Sequence, residues 1–123
     1  LGLVHAISHM IGGEFDTQHG LTNAVILPVV MRFNFPGLGE KILRMAQVMG
    51  LEDTSVEALI AAIERLLDDV EIPRSLNEIG VPLDCAQRIA EKAMLDSAVE
   101  TNPRRASLEE IKDLVENALQ KAR

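Results

Sequence analysis

Aromatic residues are scarce in this sequence: three Phe, no Tyr and no Trp make 2% of a chain that is 47% hydrophobic. Any core must therefore be filled with Leu, Ile, Val, Ala and Met, a palette that favours packed helices over strands. Cysteine occurs once, at Cys85. A lone thiol cannot close an internal disulfide, which excludes a disulfide scaffold and points to a reducing compartment, the cytoplasm. Long apolar runs are missing as well. The longest, Ala24 to Met31, is eight residues and contains Pro28, where a bilayer crossing needs ~20, so no membrane partner is expected. Basic residues are outnumbered 12 to 19, leaving a net charge of −7. That balance repels a phosphate backbone and argues against nucleic acid. No initiator Met is present; Leu1-Gly2-Leu3-Val4-His5 reads as the interior of an element and not as a signal peptide, so the expectation is a chain cut from something longer. Alternating strand patterns, repeats and a G-x-G-x-x-G turn are also lacking, since Gly37-Leu38-Gly39 has neither a preceding strand nor the third glycine.

What is present is helical periodicity. At 123 residues the chain is one domain's worth, and an all-α, bundle-like array of six or seven helices is expected, with no internal domain boundary. Leu3 to Ile11 should form a short helix closed by Gly12-Gly13, and Leu21 to Phe33 a second, buried on most sides and kinked at Pro28. After a break at Asn34-Phe35-Pro36-Gly37, a third helix carries Leu38, Ile42, Met45 and Met49 as core residues up to Gly50. Thr54 and Glu57 form the capping-box pattern for a fourth, whose stripe is Val56, Leu59, Ile60, Ile63, Leu66, Leu67 and Val70. Ser75 with Glu78 caps a single turn closed by Gly80. Asp84 with Gln87 opens a helix to about Leu95, with Cys85 as a small core residue, and Ser107 with Glu110 starts a terminal helix burying Leu108, Ile111, Leu114, Val115 and Leu119. Arg104 and Arg105 read as a solvated turn.

All three histidines lie in the first 19 residues, in the pattern G-x2-H-x3-H-x2-G-G-x5-H-G. His5 and His9 are four apart and share a helix face, and a glycine turn can return His19 to the same side. An isolated H-x3-H pair is more often a surface or core feature than a site, but the third histidine and the flanking glycines favour a site. Imidazole suits Zn, Fe, Cu and Ni alike, so the spacing proposes a divalent transition metal without naming it. A zinc protease would need Glu after His5, where Ala6 stands.

The stretch Gly2-Leu-Val-His5-Ala-Ile-Ser-His9-Met-Ile-Gly12-Gly13 followed by Gln18-His19-Gly20 resembles the glycine- and histidine-rich motif of iron-containing alcohol dehydrogenases. Asn102-Pro103-Arg104 before Ser107-Leu108-Glu109-Glu110-Ile111 is similar to that family's closing helix and the turn before it. Ile72-Pro73 and Leu76-Asn77-Glu78-Ile79-Gly80 look like parts of its helical domain. In that family, a dehydroquinate synthase-like fold, a nucleotide-binding domain precedes the helical domain, and one Asp and three His hold the metal. The resemblance implies that residues 1–123 are the C-terminal part of the metal-binding helical domain and that His5 and His19 are two of the ligands. The other two would lie upstream of Leu1. It further implies that His9 sits beside the metal near cofactor and substrate, with a proton-relay role. Ala98 falls where relatives often place a pocket-lining residue.

The implied activity is a metal-dependent, NAD(P)-dependent oxidoreductase that interconverts small alcohols with aldehydes or ketones. Fe(2+) is the implied ion, with Zn(2+) as the alternative, and NAD or NADP would bind through the absent N-terminal domain. The chain alone is expected to be inactive and the intact enzyme homo-oligomeric. A maleylacetate reductase-like enzyme of the same fold, which reduces an unsaturated keto acid, is the near rival. A helical interaction domain with incidental histidines is the rival from another class.

Overall fold

The computed structural model describes residues 2–35 and 39–121. Among these residues six α-helices run in chain order: α1 (Gly2–Phe15), α2 (His19–Asn34), α3 (Gly39–Val48), α4 (Val56–Asp69), α5 (Ala86–Ala93) and α6 (Leu108–Lys121). Two 3-10 turns, Asn77–Ile79 and Ser97–Thr101, lie between them, and no strand occurs among the described residues. The all-α expectation holds.

One core joins α1, α2, α5 and α6. Leu3, Ile7 and Ile11 of α1 meet Val25, Ile26 and Val30 of α2, Ile89 of α5, and Ile111, Val115 and Leu119 of α6, all essentially excluded from solvent. Aliphatic side chains of this size fill the space without aromatics, as the composition requires. Cys85 is fully buried here and burial pushes its thiol pKa up, so it is a small apolar residue of the core, as expected. Helices α3 and α4 form a hairpin beside this core, with Ile42 and Ala46 of α3 and Leu59 and Ile60 of α4 buried and α4 packed on both α3 and α2.

Several boundaries differ from the periodicity reading, each for a local reason. Helix α1 does not stop at Gly12-Gly13 but passes through both to Phe15, and Asp16 (φ +56°) takes the left-handed conformation. Interior glycine costs a helix only ~1 kcal/mol per residue, and Phe15, packed against the core, holds the extra turn. Helix α2 includes Pro28 within its span. Its residues Val25, Ile26, Val29 and Val30 are buried, while Leu21, Ala24, Leu27 and Met31 are half-buried. Of the expected break, Asn34 belongs to α2, while Pro36 and Gly37, together with Leu38, expected on the third helix, lie outside the described residues.

The N-cap of α4 is Ser55, which accepts from Ala58 N–H at 3.2 Å while Asp53 accepts from Ser55 N–H at 2.9 Å; Thr54 is not the cap. Helix α5 begins at Ala86 after Cys85, with no side-chain cap from Asp84, and ends at Ala93. The other two capping boxes form as read. Ser75 N–H donates to Glu78 at 3.0 Å, with Gly80 closing the turn at φ +92°, and Ser107 N–H donates to Glu110 at 3.0 Å while Glu110 N–H donates back to Ser107 Oγ at 3.2 Å.

Met45 and Met49 are not core residues: they are 41% and 45% exposed, and Leu66 and Val70 of the expected α4 stripe are 55% and 59% exposed. The α3–α4 and α2–α4 contacts leave these apolar residues partly exposed. Arg104 is half-buried and engaged, not free in solvent. Its guanidinium sits 4.1 Å from the centre of the Phe33 ring and donates to the Phe33 carbonyl at 2.8 Å, tying the turn before α6 to the end of α2.

The N-terminus of α1 is held from the far end of the chain. Gly2 N–H donates to Thr101 Oγ1 and Leu3 N–H to Asn102 Oδ1, both at 3.2 Å. Asn102 also exchanges amide hydrogen bonds with Asn34 at 2.7 and 3.1 Å. Gly2 has φ +71°, and a Cβ there would lie 2.9 Å from Asn102 Oδ1, so the approach needs glycine.

Ile60→Ala should destabilise the protein by ~2–5 kcal/mol, whereas Leu66→Ala on the same helix should stay within ~0.5 kcal/mol. Urea denaturation of both variants reads the difference, and equal costs would place the buried seam elsewhere. Asn102→Ala should cost ~1–3 kcal/mol because the Asn34 amide and Leu3 N–H lose their partner in a largely buried setting; an unchanged melting temperature would show that the network contributes nothing.

Candidate metal centre

The three histidines converge. His5 and His9 stand one turn apart on α1, with ring centres 5.8 Å apart and edge to face. Chain reversal over Asp16, Thr17 and Gln18 then places His19 as the first residue of α2, its ring centre 5.5 Å from each of the other two. The reversal is fastened by Asp16 N–H donating to the Gly12 carbonyl at 3.0 Å and by the buried Thr22 hydroxyl donating to the Gln18 carbonyl at 2.9 Å. The sequence pattern foresaw this convergence, although Asp16, and not the glycine pair, makes the turn.

Each ring has a different setting. His19 Nδ1 is hydrogen-bonded to the hydroxyl of the buried Ser8 at 3.2 Å, which leaves Nε2 as its free nitrogen. His9 Nδ1 lies 3.0 Å from Asp96 Oδ2. His5 Nδ1 is buried and has no hydrogen-bond partner among the described residues, and the same is true of Asn23 Oδ1. Both residues line one cavity of about 430 Å³ with Val4, Ala24 and Leu27. A buried polar atom without a partner costs ~1–3 kcal/mol, so the two residues beside this cavity carry an unmet hydrogen-bonding capacity.

Asp96 anchors the cluster from the far side. Its Oδ1 accepts from Ala98 N–H at 2.8 Å, capping the 3-10 turn Ser97–Thr101. That backbone bond first, and the His9 bond after it, hold the Asp96 carboxyl below its ordinary pKa.

These donors fit part of a metal shell. With metal–nitrogen bonds of ~2 Å, two imidazoles on one ion have ring centres roughly 5 Å apart, close to the His5–His19 spacing, and an uncommitted buried ring nitrogen is the donor such an ion requires. The shell is not complete within the chain, because among the described residues no group of three or more His, Cys, Asp or Glu side chains is arranged to hold a metal ion. Ser8, Asn23 and Asp96 escaped the sequence reading. Asn23 carried one usable signal, standing four residues after His19 on the same helix; Asp96, 87 residues from His9, carried none.

Known proteins are similar to this chain in sequence and in structure. Lactaldehyde reductase of Escherichia coli (strain K12) is 40% identical over 124 residues, which cover 96% of this chain and 32% of that protein. NAD-dependent methanol dehydrogenase of Bacillus methanolicus is 36% identical over 126 residues, 97% of this chain and 33% of that protein. A crystal structure of 1,3-propanediol oxidoreductase matches with a TM-score of 0.91 at 38% identity, covering 97% of this chain and 33% of that one. The chain thus spans about a third of the length of these relatives. The description "Fe-containing alcohol dehydrogenase family, C-terminal" matches residues 1–119, and the chain belongs to that family.

Proposed function

We propose that this chain works as the C-terminal, metal-binding helical part of an NAD(P)-dependent oxidoreductase that interconverts small alcohols with aldehydes or ketones. The observation that carries the reading is the convergence of His5, His9 and His19 at ring separations of 5.5–5.8 Å, in a chain whose relatives are named for small-alcohol and aldehyde chemistry. His5 and His19 bind the ion, and Ser8 fixes which nitrogen His19 presents. His9 holds a proton beside them. When bound, a divalent iron (or zinc) supplies Lewis acidity toward an alcohol oxygen, and a nicotinamide supplies the hydride chemistry.

The remaining donors and the nucleotide site belong, in this reading, to polypeptide beyond this chain, which would meet it beside the cavity lined by His5 and Asn23. The protein acts in the cytoplasm as a homo-oligomer. Neither a membrane nor nucleic acid is a partner in this reading; no helix among the described residues is long and apolar enough to cross a bilayer. Reduction of an unsaturated keto acid such as maleylacetate is the second reading within the family, and the names of the relatives above favour the alcohol substrate. A helical interaction domain would leave the meeting of three histidines unexplained.

In the intact enzyme, His5→Ala and His19→Ala should each abolish metal retention and turnover, while His9→Ala should lower turnover and leave the metal in place, as read by elemental analysis and alcohol-dependent NAD(P)H formation. Residues 1–123 alone should hold a metal at most loosely, bind no NAD(P) tightly and oxidise no alcohol. Full metal occupancy after His19→Ala would overturn the ligand assignment, and dehydrogenase activity of the 123-residue chain would overturn its dependence on further polypeptide.

A further inference from the structure

We infer that Asp96 is the positioning residue of His9, holding the ring in the tautomer with the proton on Nδ1 so that Nε2 is the proton-accepting nitrogen of the histidine cluster. The inference rests on the proton-handling role proposed for His9.

An ionised carboxylate only accepts hydrogen bonds, so the hydrogen between Asp96 Oδ2 and His9 Nδ1, 3.0 Å apart, has to sit on the ring. In a neutral ring Nε2 then carries the lone pair. The Asp96 side chain is 13% exposed and its other oxygen is committed to Ala98 N–H, so the carboxylate cannot rotate away without uncapping its turn. His9 is 45% exposed and stacked at 17° on His19, and without Asp96 no other hydrogen bond orients it among the described residues.

The register between the two residues is built into the backbone. The turn that starts after Asp96 runs antiparallel to the first two turns of α1: Gly2 bonds Thr101, Leu3 bonds Asn102, and His9 bonds Asp96. Ala98 is buried within the same core cluster as α1, so the turn is clamped between its ends. Helix α1 therefore presents His9 where a carboxylate waits, and fastening at Gly2 and Leu3 sets the separation seven residues away.

The test uses the intact protein labelled with 15N at histidine, metal-free and zinc-loaded, with the His9 signals identified by their loss in His9→Gln. Long-range proton–nitrogen spectra should show His9 protonated on Nδ1. In Asp96→Asn the side-chain amide can donate to Nδ1 and the proton should move to Nε2, while Asp96→Glu should restore the Nδ1–H form. Turnover of Asp96→Asn should fall at least about tenfold with KM and metal content unchanged, and Asp96→Glu should recover part of it. Retention of the Nδ1–H tautomer in Asp96→Asn, or wild-type turnover in that variant, overturns the inference. Loss of metal from both Asp96 variants would place Asp96 in service of the ion and overturns it too. The tautomer readout does not depend on dehydrogenase activity, so a protein that shows the expected shift yet oxidises no alcohol refutes the proposed function and leaves the Asp96–His9 pairing standing.

Discussion

Asn102 ties together parts of the chain that lie a hundred residues apart. Its carboxamide oxygen accepts from Leu3 N–H and from Asn34, and its amide donates to Asn34 and to the Arg104 carbonyl at 2.6 Å. Four hydrogen bonds on one side chain satisfy its whole capacity. The start of α1, the end of α2 and the turn before α6 are thereby joined at one point. Helix N-termini leave backbone N–H groups without partners, and here two of them are taken by Thr101 and Asn102, so the direction in which α1 leaves this junction is set. That direction decides where His5 and His9 stand.

Around the junction the polar contacts are reinforced by packing. Arg104 covers the Phe33 ring, Gly2 allows the Asn102 side chain to approach, and Leu3 directs its side chain into the core immediately below. Burial of α1 residues Leu3, Ala6, Ile7 and Ile11 leaves the opposite face, with His5 and His9, at the boundary with solvent. On the outer side of α1, Glu14 pairs with Arg88 and with Lys92, the latter at 3.2 Å, which aligns α1 with α5. Exposed ion pairs of this kind add little stability, and their use here is orientation. The α3–α4 hairpin stands apart from this core, attached through α4 to α2 and by the Arg32–Glu64 ion pair, with Val48 and Leu66 open to solvent.

The cluster itself combines rigid and unfinished features. His19 is oriented by Ser8, and His9 by Asp96, each through Nδ1. Among the described residues, His5 Nδ1 and the neighbouring Asn23 oxygen have no hydrogen-bond partner. Of the two rings proposed as ligands, His19 is therefore oriented through Ser8 while His5 keeps an uncommitted nitrogen, so hydrogen bonding presets only part of the cluster.

The sequence by itself determined the fold class and the histidine cluster. A chain short of aromatics with apolar residues at 3.6-residue spacing has only helices in which to bury them, and Ser107–Glu110 and Ser75–Glu78 capped where local chemistry places them. His5 and His9 share a face because the helix period dictates it. Tertiary structure decided what spacing cannot encode. Met45, Met49, Leu66 and Val70 fit a helical stripe but stay 41–59% exposed, because the contacts of α4 with α3 and α2 do not cover them. Gly12-Gly13 reads as a stop but is carried through, because core contacts on both sides of the pair outweigh the small intrinsic penalty. Asp96 reaches His9 across 87 positions, a meeting set by the packing of a turn against α1 and invisible in any local pattern.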